Sequence, residues 1–287
     1  MKIAVIGTGR VGTSLGNSLA QAGYEIAGLA DADPAAARRA RRIIGRGRVF
    51  RDPVAALRSA EVILIAVPDD ALAGLASVLQ AGEWDGRGKT LLHTSGAAPA
   101  AILAPLAKRS AAVGSMHPAQ SFPTPSTPAS HVRGVIFGLE GDPAAVRKAK
   151  ILVRSLGGRP LLLTAGQKIL YHAACVLASN LFVPLFGLAV ETMAEAGIPA
   201  PTAKKALLPL VEGTLRNVKI LDAENALTGP LARLDYETVA RQMRALRRVP
   251  RARDAYRTIG LAALELVKKR GIPDARVKRL RALLEGK

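Results

Sequence analysis

Two regimes of apolar and polar patterning divide the chain. Up to about residue 164, short unbroken apolar runs recur, each followed by a stretch with helical spacing. Ile3–Ile6, Tyr24–Leu29, Arg48–Phe50, Glu61–Val67, Thr90–Thr94, Ala112–Met116, Gly134–Leu139 and Pro160–Leu163 read as strands. Runs that stay apolar at every position suit parallel strands covered on both faces. Between them, Val11, Leu15 and Leu19 mark one helical face, and Asp33-Pro34 and Asp142-Pro143 place an N-cap before proline at the first helical position. Strand-helix alternation of this kind predicts a doubly wound parallel sheet. Residues 118–130, with four prolines, read as a loop.

From Thr164 the pattern becomes helical throughout. Thr164-Ala-Gly-Gln167 has capping-box spacing and should open a long helix. Residues 173–190 are apolar except for Ser179 and Asn180. Such a stretch is long enough to raise a membrane span. Pro184, Gly187, the central polar pair and the lack of aromatic flanks instead predict a helix buried inside protein. Further helices are expected around 201–221, 235–248, 252–270 and 274–285. The expected fold is thus α/β, a doubly wound domain over 1–164 followed by an all-α domain over 165–287. A helix apolar on every side needs covering all round, so a homodimer is expected.

Composition narrows the function. The 287 residues hold 49% apolar side chains but only ten aromatics, so alanine, leucine and valine must fill the cores. The single cysteine, Cys175, is flanked by apolar residues; it reads as a small core residue and suits a reducing compartment. Met1 leads into a strand without a charged n-region or cleavage site, so a cytoplasmic protein is expected. The net charge is +19, and residues 241–287 carry fifteen Lys and Arg against four acids. Aromatic interleaving and any nucleic-acid motif are missing from this tail, which argues against specific nucleic-acid binding. Attraction of an anionic substrate is the better reading.

The chemistry begins at the first strand, which runs into Gly7-Thr8-Gly9-Arg10-Val11-Gly12, a G-x-G-x-x-G opening a helix. Gly7 allows the tight turn, Gly9 lets backbone approach a pyrophosphate, and Gly12 lets helix pack on strand. The exposed N–H groups and the helix dipole favour the anion. Asp31, nineteen residues after Gly12 at the end of the second strand, is placed to accept from a ribose 2′-hydroxyl. A carboxylate there favours NAD over NADP, although Arg38 and Arg39 on the next helix could serve a 2′-phosphate. Val67 and Pro68, at the end of the fourth strand, should also line the cofactor site.

In open parallel sheets ligands bind beyond the carboxyl ends of the strands. The fifth strand ends in His93-Thr94-Ser95-Gly96 and the sixth in Ser115-Met116-His117-Pro118, with Gln120 and Ser121 just after. His117 is the candidate for proton transfer and Ser95 for hydrogen bonding the reacting atom. Lys168, His172, Ser179 and Asn180 fall at spacings that share one helix face. His172 is a second candidate acid, while Gly96, Gln120, Ser121, Lys168 and Asn180 are candidates for substrate. Arg233, in Leu227-Thr-Gly-Pro-Leu-Ala-Arg233, could fork onto a carboxylate. Neither Ser95 as a simple turn residue nor the helix cluster as a hydrogen-bond network is excluded by spacing. No metal site is expected.

Five segments in order, Gly7–Thr13, Leu92–Gly96, Met116–Phe122, Tyr171–Ala174 with Ser179-Asn180, and Leu227–Arg233, resemble the bacterial Rossmann-like proteins with a helical C-terminal domain of unknown function, DUF2520. That family is similar to pyrroline-5-carboxylate reductases and to 3-hydroxyacid and prephenate dehydrogenases. The resemblance implies an NAD(P)-linked oxidoreductase acting on a hydroxy acid, carbonyl or imine. Ser95 and His117 match the serine and His-Pro of prephenate dehydrogenases. The lysine-asparagine pair of the 3-hydroxyacid dehydrogenases is not reproduced, since His172 stands one turn after Lys168 and Asn180 three turns on. The rival reading is a non-catalytic NAD(P)-binding sensor or partner-binding protein, which has no use for a proton donor in the cleft.

Overall fold

The computed structural model describes residues 1–286. The chain divides into two compact units, Met1–Leu177 and a second that begins at Ala178.

The first unit is built on an eight-stranded sheet: β1 (Lys2–Ile6), β2 (Glu25–Ala30), β3 (Arg48–Phe50), β4 (Val62–Ile65), β5 (Thr90–His93), β6 (Ala112–Pro118), β7 (Ile136–Gly141) and β8 (Arg159–Leu162). Its order is β3-β2-β1-β4-β5-β6-β7-β8. Helices α1 (Arg10–Gln21), α2 (Pro34–Ile44), α3 (Pro53–Arg58), α4 (Leu72–Ala81), α5 (Ala104–Ala107), α6 (Pro143–Ser155) and α7 (Ala165–Cys175) complete the unit. Alternate residues of one strand enter separate cores, as the two-residue period requires. Val62 and Leu64 pack with Leu15, Leu19 and Leu152 on one side. Ile63 and Ile65 pack with Leu57, Leu79 and Leu103 on the other.

Every strand pair is parallel except β6–β7, where Met116 opposes Leu139 in an antiparallel register. The doubly wound parallel sheet is thus interrupted at this one pair. A parallel neighbour needs a crossover returning the chain to the other end of the sheet. The proline-rich segment after β6 forms only a 3-10 turn, Ala129–Val132. The chain therefore re-enters the sheet at the end where it left.

The first compact unit runs on to Leu177, past the 164/165 position where the helical pattern begins. Side-chain hydrogen bonds tie Lys168 and Tyr171 of α7 to β6 and to the turn after β5, so α7 belongs with the sheet. Beyond α7 the single long helix is interrupted. Val176–Asn180 form a π turn before α8 (Phe182–Glu195). Pro184 explains it: proline has no N–H for the carbonyl four residues earlier, and its ring clashes there, so the preceding turn widens.

The second unit contains α8, α9 (Ala200–Ile220), α10 (Ala223–Ala226), α11 (Gly229–Ala232), α12 (Tyr236–Ala245), α13 (Pro250–Lys269) and α14 (Asp274–Glu285). Val239, Met243, Leu264, Val267, Val277, Leu280 and Leu284 form its core. The apolar stretch expected inside protein is not covered by its own chain. Leu177 is 66% and Val183 68% exposed. Ala165–Glu195 is long and apolar enough to cross a membrane by length and composition.

Candidate active site

The glycine loop is built as its spacing requires. Gly7 turns at φ 89°, and a Cβ there would meet the Ala66 backbone at 2.6 Å. A Cβ on Gly12 would stand 1.9 Å from the Gly7 carbonyl oxygen. Gly9, the N-cap of α1, has no side-chain cap, and nothing lies within 4 Å of the place its Cβ would take. The first N–H groups of α1 therefore open onto free space, the arrangement that receives a phosphate. Asp31 buttresses the loop: its carboxylate accepts from Thr8 N at 2.5 Å, Thr8 Oγ1 at 2.9 Å and Asp33 N at 2.9 Å.

Gly7, Gly9, Arg10, Val11 and Asp31 line one end of a cleft of about 1090 Å³ in the first unit. Val67 and Pro68 line its middle, and Ser95, Gly96, His117, Gln120 and His172 its other end. The cleft exceeds the usual size of a small-ligand pocket, about 300–1,000 Å³. Its glycine cradle, free helix start and volume fit a dinucleotide.

At the histidine end, β5 and β6 bring Gly96 and His117 side by side, and α7 lays His172 across them. The His117 and His172 rings meet edge to face with centroids 5.5 Å apart. Gly96 is what lets them converge. A Cβ there would lie 2.4 Å from His172 Cδ2 and 2.8 Å from His117 Nε2. His117 Nδ1 lies 3.0 Å from the Tyr171 hydroxyl. Burial, then the nearby His172 and Lys168, pull the His117 pKa down to about 4. The imidazole is therefore neutral at pH 7. Burial pushes the Tyr171 hydroxyl well above the ordinary phenol range.

The Ser95 turn is pinned from several sides. Its N–H donates to His93 Nδ1 at 3.2 Å, and its hydroxyl accepts from Ala97 N and Ala98 N at 3.2 and 2.9 Å. Its carbonyl accepts from Lys168 Nζ at 3.0 Å, and the same ammonium donates to Ser115 Oγ at 2.7 Å. Ser95 thus acts as a turn cap that also lines the cleft. Lys168 is 1% exposed, and burial lowers its pKa to about 8, against the pull of Glu140 and Asp69. The ammonium braces the strand ends, and Lys168 is not among the cleft-lining residues. His93, buried behind the turn, is held down to about 3 chiefly by burial.

Other expected residues are placed differently. Ser121 is not among the cleft-lining residues; its carbonyl oxygen lies 2.8 Å from His131 Nε2. Asn180 falls in the π turn and is exposed, so the single face expected for Lys168, His172, Ser179 and Asn180 is broken there. Asn180 and Arg233 belong to the second unit. Sequence reasoning missed Tyr171 and Arg51, the latter lining the cleft beside Asp31 and Ala32. The register holds the signal for Arg51: Ala30 pairs with Phe50, so the residues that follow leave the sheet together. No group of three or more metal-ligating side chains occurs among the described residues.

This fold and glycine loop define a Rossmann-like protein with a helical second unit, and a Rossmann-like domain model matches residues 1–118. The model of DUF2520, a domain of unknown function, matches residues 135–284, more than half of the chain. The chain belongs to the DUF2520 family. No curated protein matches it in sequence. Solved structures share the fold. A candidate NADP oxidoreductase from Bacteroides fragilis is 22% identical with a TM-score of 0.77, covering 92% of this chain and 98% of its own. A Thermotoga maritima protein is 24% identical with a TM-score of 0.71, covering 94% and 100%. A reductive aminase from Aspergillus terreus, in complex with NADPH and ethyl-5-oxohexanoate, is 18% identical with a TM-score of 0.63, covering 99% and 92%.

Proposed function

We propose that the protein is a nicotinamide-dinucleotide-dependent oxidoreductase of a small, anionic hydroxy acid, carbonyl or imine. One observation carries this: the phosphate-binding loop and the His117–His172 pair over Gly96 line the same cleft. A protein that only sensed a dinucleotide would need the first and have no use for the second. The NADPH-bound reductive aminase of the same fold supports the reading. When bound, the dinucleotide supplies or accepts the hydride.

In this reading Gly7, Gly9, Arg10 and Gly12 hold the pyrophosphate, and Val67 and Pro68 flank the nicotinamide half. Asp31 sets the preference at the adenosine ribose. Its charge repels a 2′-phosphate, which favours NAD; Arg39 cannot cancel it freely, since Arg39 is paired with Asp33 at 3.3 Å. His117 and Ser95 address the reacting atom. His172, half-buried beside His117, is the second candidate for the proton transfer. Gln120, which lines the same cleft, is assigned to substrate. A second copy of the chain covers the exposed face of α7 and α8, where Ile169 is 61% and Leu170 75% exposed. Light scattering tests that part; a monomer at micromolar concentration overturns it. The cytoplasm is the compartment that suits this redox chemistry.

Calorimetry with NADH and NADPH, followed by a panel of carbonyls, imines and hydroxy acids monitored by nicotinamide absorbance, tests the function. Binding with turnover is expected. Failure to bind either dinucleotide overturns the proposal, and tight binding with no turnover across the panel turns it toward the sensor.

A further inference from the structure

Which nitrogen of His117 faces the cleft as a donor decides what kind of atom it can meet. We infer that Tyr171 fixes His117 as the tautomer with its hydrogen on Nε2, so that the neutral ring meets the cleft as a hydrogen-bond donor. The inference deepens the oxidoreductase reading and rests on it for its consequence, but not for its geometry.

The phenol oxygen of Tyr171 is 3.0 Å from His117 Nδ1, with the rings perpendicular at 89° and centroids 5.5 Å apart. Two arrangements could fill that distance. Phenol is a stronger acid than a neutral imidazole N–H, and an imidazole nitrogen lone pair is a better acceptor than a phenol oxygen. The O–H therefore donates and Nδ1 accepts. Cys175 is the other group beside the phenol, but sulfur is a weak acceptor.

The fit depends on small residues at both ends. A Cβ on Gly138 would stand 3.0 Å from Tyr171 Cζ, so the bare backbone lets the ring lie against β7. With Nδ1 engaged as acceptor, a neutral His117 must carry its hydrogen on Nε2. That is the nitrogen turned toward Gly96 in the cleft. Tyr171 is then a positioning residue: it acts on the reacting atom only through His117. A fixed Nε2–H donor suits a carbonyl oxygen or an unprotonated imine nitrogen. It offers nothing to an alcohol or ammonium hydrogen. The ring therefore recognises the reacting atom through a lone pair, such as a carbonyl oxygen or an imine nitrogen offers.

The chain has four histidines, which makes the tautomer directly measurable. Protein labelled with ¹⁵N-histidine, without substrate or dinucleotide, is examined at pH 7 by long-range ¹H–¹⁵N correlation. His117→Gln identifies the resonances. The expected result is a neutral His117 protonated on Nε2. In Tyr171→Phe the pattern should move toward a mixture of tautomers, while His131, hydrogen-bonded to Ser121, stays unchanged and reports an intact fold. A wild-type His117 protonated on Nδ1 overturns the inference, as does a Tyr171→Phe spectrum identical to wild type. Should Tyr171→Phe not fold, the wild-type tautomer decides alone. Calorimetry with NADH and NADPH on the same sample reports on the oxidoreductase reading separately, so either can fail without the other.

Discussion

Replacing Gly12 by alanine puts one methyl group where α1 crosses the end of β1. The added carbon would lie 1.9 Å from the Gly7 carbonyl oxygen, 3.0 Å from Ala66 Cβ and 3.1 Å from the Gly7 carbonyl carbon. Ordinary contact begins near 3.4 Å, so the first approach is short by about 1.5 Å. The obstacle is backbone, which cannot swing aside as the end of a flexible side chain would. Either α1 lifts from the sheet or the loop from Gly7 to Gly9 is pushed outward. Overpacking of this kind costs about 1–3 kcal/mol in stability.

Both escapes also turn the α1 N–H groups away from where the phosphates would lie. Hydrogen bonds to a charged group contribute about 1.5–3 kcal/mol each, so losing two costs about 3–6 kcal/mol. That corresponds to about 10²–10⁴-fold weaker binding. Gly9→Ala is the control. Its backbone already has φ −69° and its Cβ meets nothing within 4 Å, so stability should change by less than about 1 kcal/mol. Dinucleotide affinity should nonetheless fall, because the methyl projects into the space kept for the ligand. Thermal unfolding and calorimetry with NADH and NADPH separate the two effects. If Gly12→Ala binds like wild type, or Gly9→Ala unfolds early, the assignment of the two glycines is wrong.

Three further outcomes follow from the same geometry. Gly96→Ala should displace His172 and His117, since its Cβ would lie 2.4 and 2.8 Å from them; an ångström of misplacement costs about 10²-fold in turnover. Dinucleotide affinity, measured alongside, should hold. His93 and His117 sit neutral with pKa values near 3 and 4, below the ordinary 6.5, so between pH 6.5 and 4 the unfolded chain binds protons that the native one does not. Stability should drop across that window as pH falls, by up to about 1.4 kcal/mol per pH unit for each imidazole. Denaturant melts of wild type and His117→Gln check it, and equal slopes would refute it for His117. Lys168 titrates near 8 in the native state against 10.5 in the open chain, so stability should rise with pH between those values. Lys168→Met should flatten that rise, seen by thermal melts from pH 7.5 to 10.

Where local rules decide the structure, the chain could be read in advance. The two-residue alternation of Val62-Ile-Leu-Ile65 becomes two opposed cores, and Asp33-Pro34 becomes an N-cap whose carboxylate accepts from Ala35 N. The glycine loop was legible because each glycine answers a steric demand within a few residues. The antiparallel β7 was not, since period-2 patterning is blind to strand direction. Nor was the π turn at Val176–Asn180, although Pro184 was in view; proline announces a disturbed helix without saying how the turn before it relaxes.

The histidine end of the cleft marks a different limit. Spacing groups Lys168 with His172 on one helix face, and in the structure both do point toward the ends of β5 and β6. One turn of α7 nonetheless separates their fates. Lys168 meets Ser95 O and Ser115 Oγ and disappears from solvent, while His172 reaches past Gly96 to the open cleft. Tyr171, off that face by one residue, drew no attention as a candidate, yet it holds the nitrogen opposite the one His117 turns to the cleft. Helical period says which residues share a stripe, but depth along the side chain decides which atom reaches water. A lysine is long enough to be swallowed by the strands it braces. A histidine, shorter and rigid, stays where a ligand can find it. Candidate chemistry read from a stripe of polar residues should therefore be weighted by the neighbours each side chain can touch, and here the glycines at 96 and 138 are the positions that make room for those contacts.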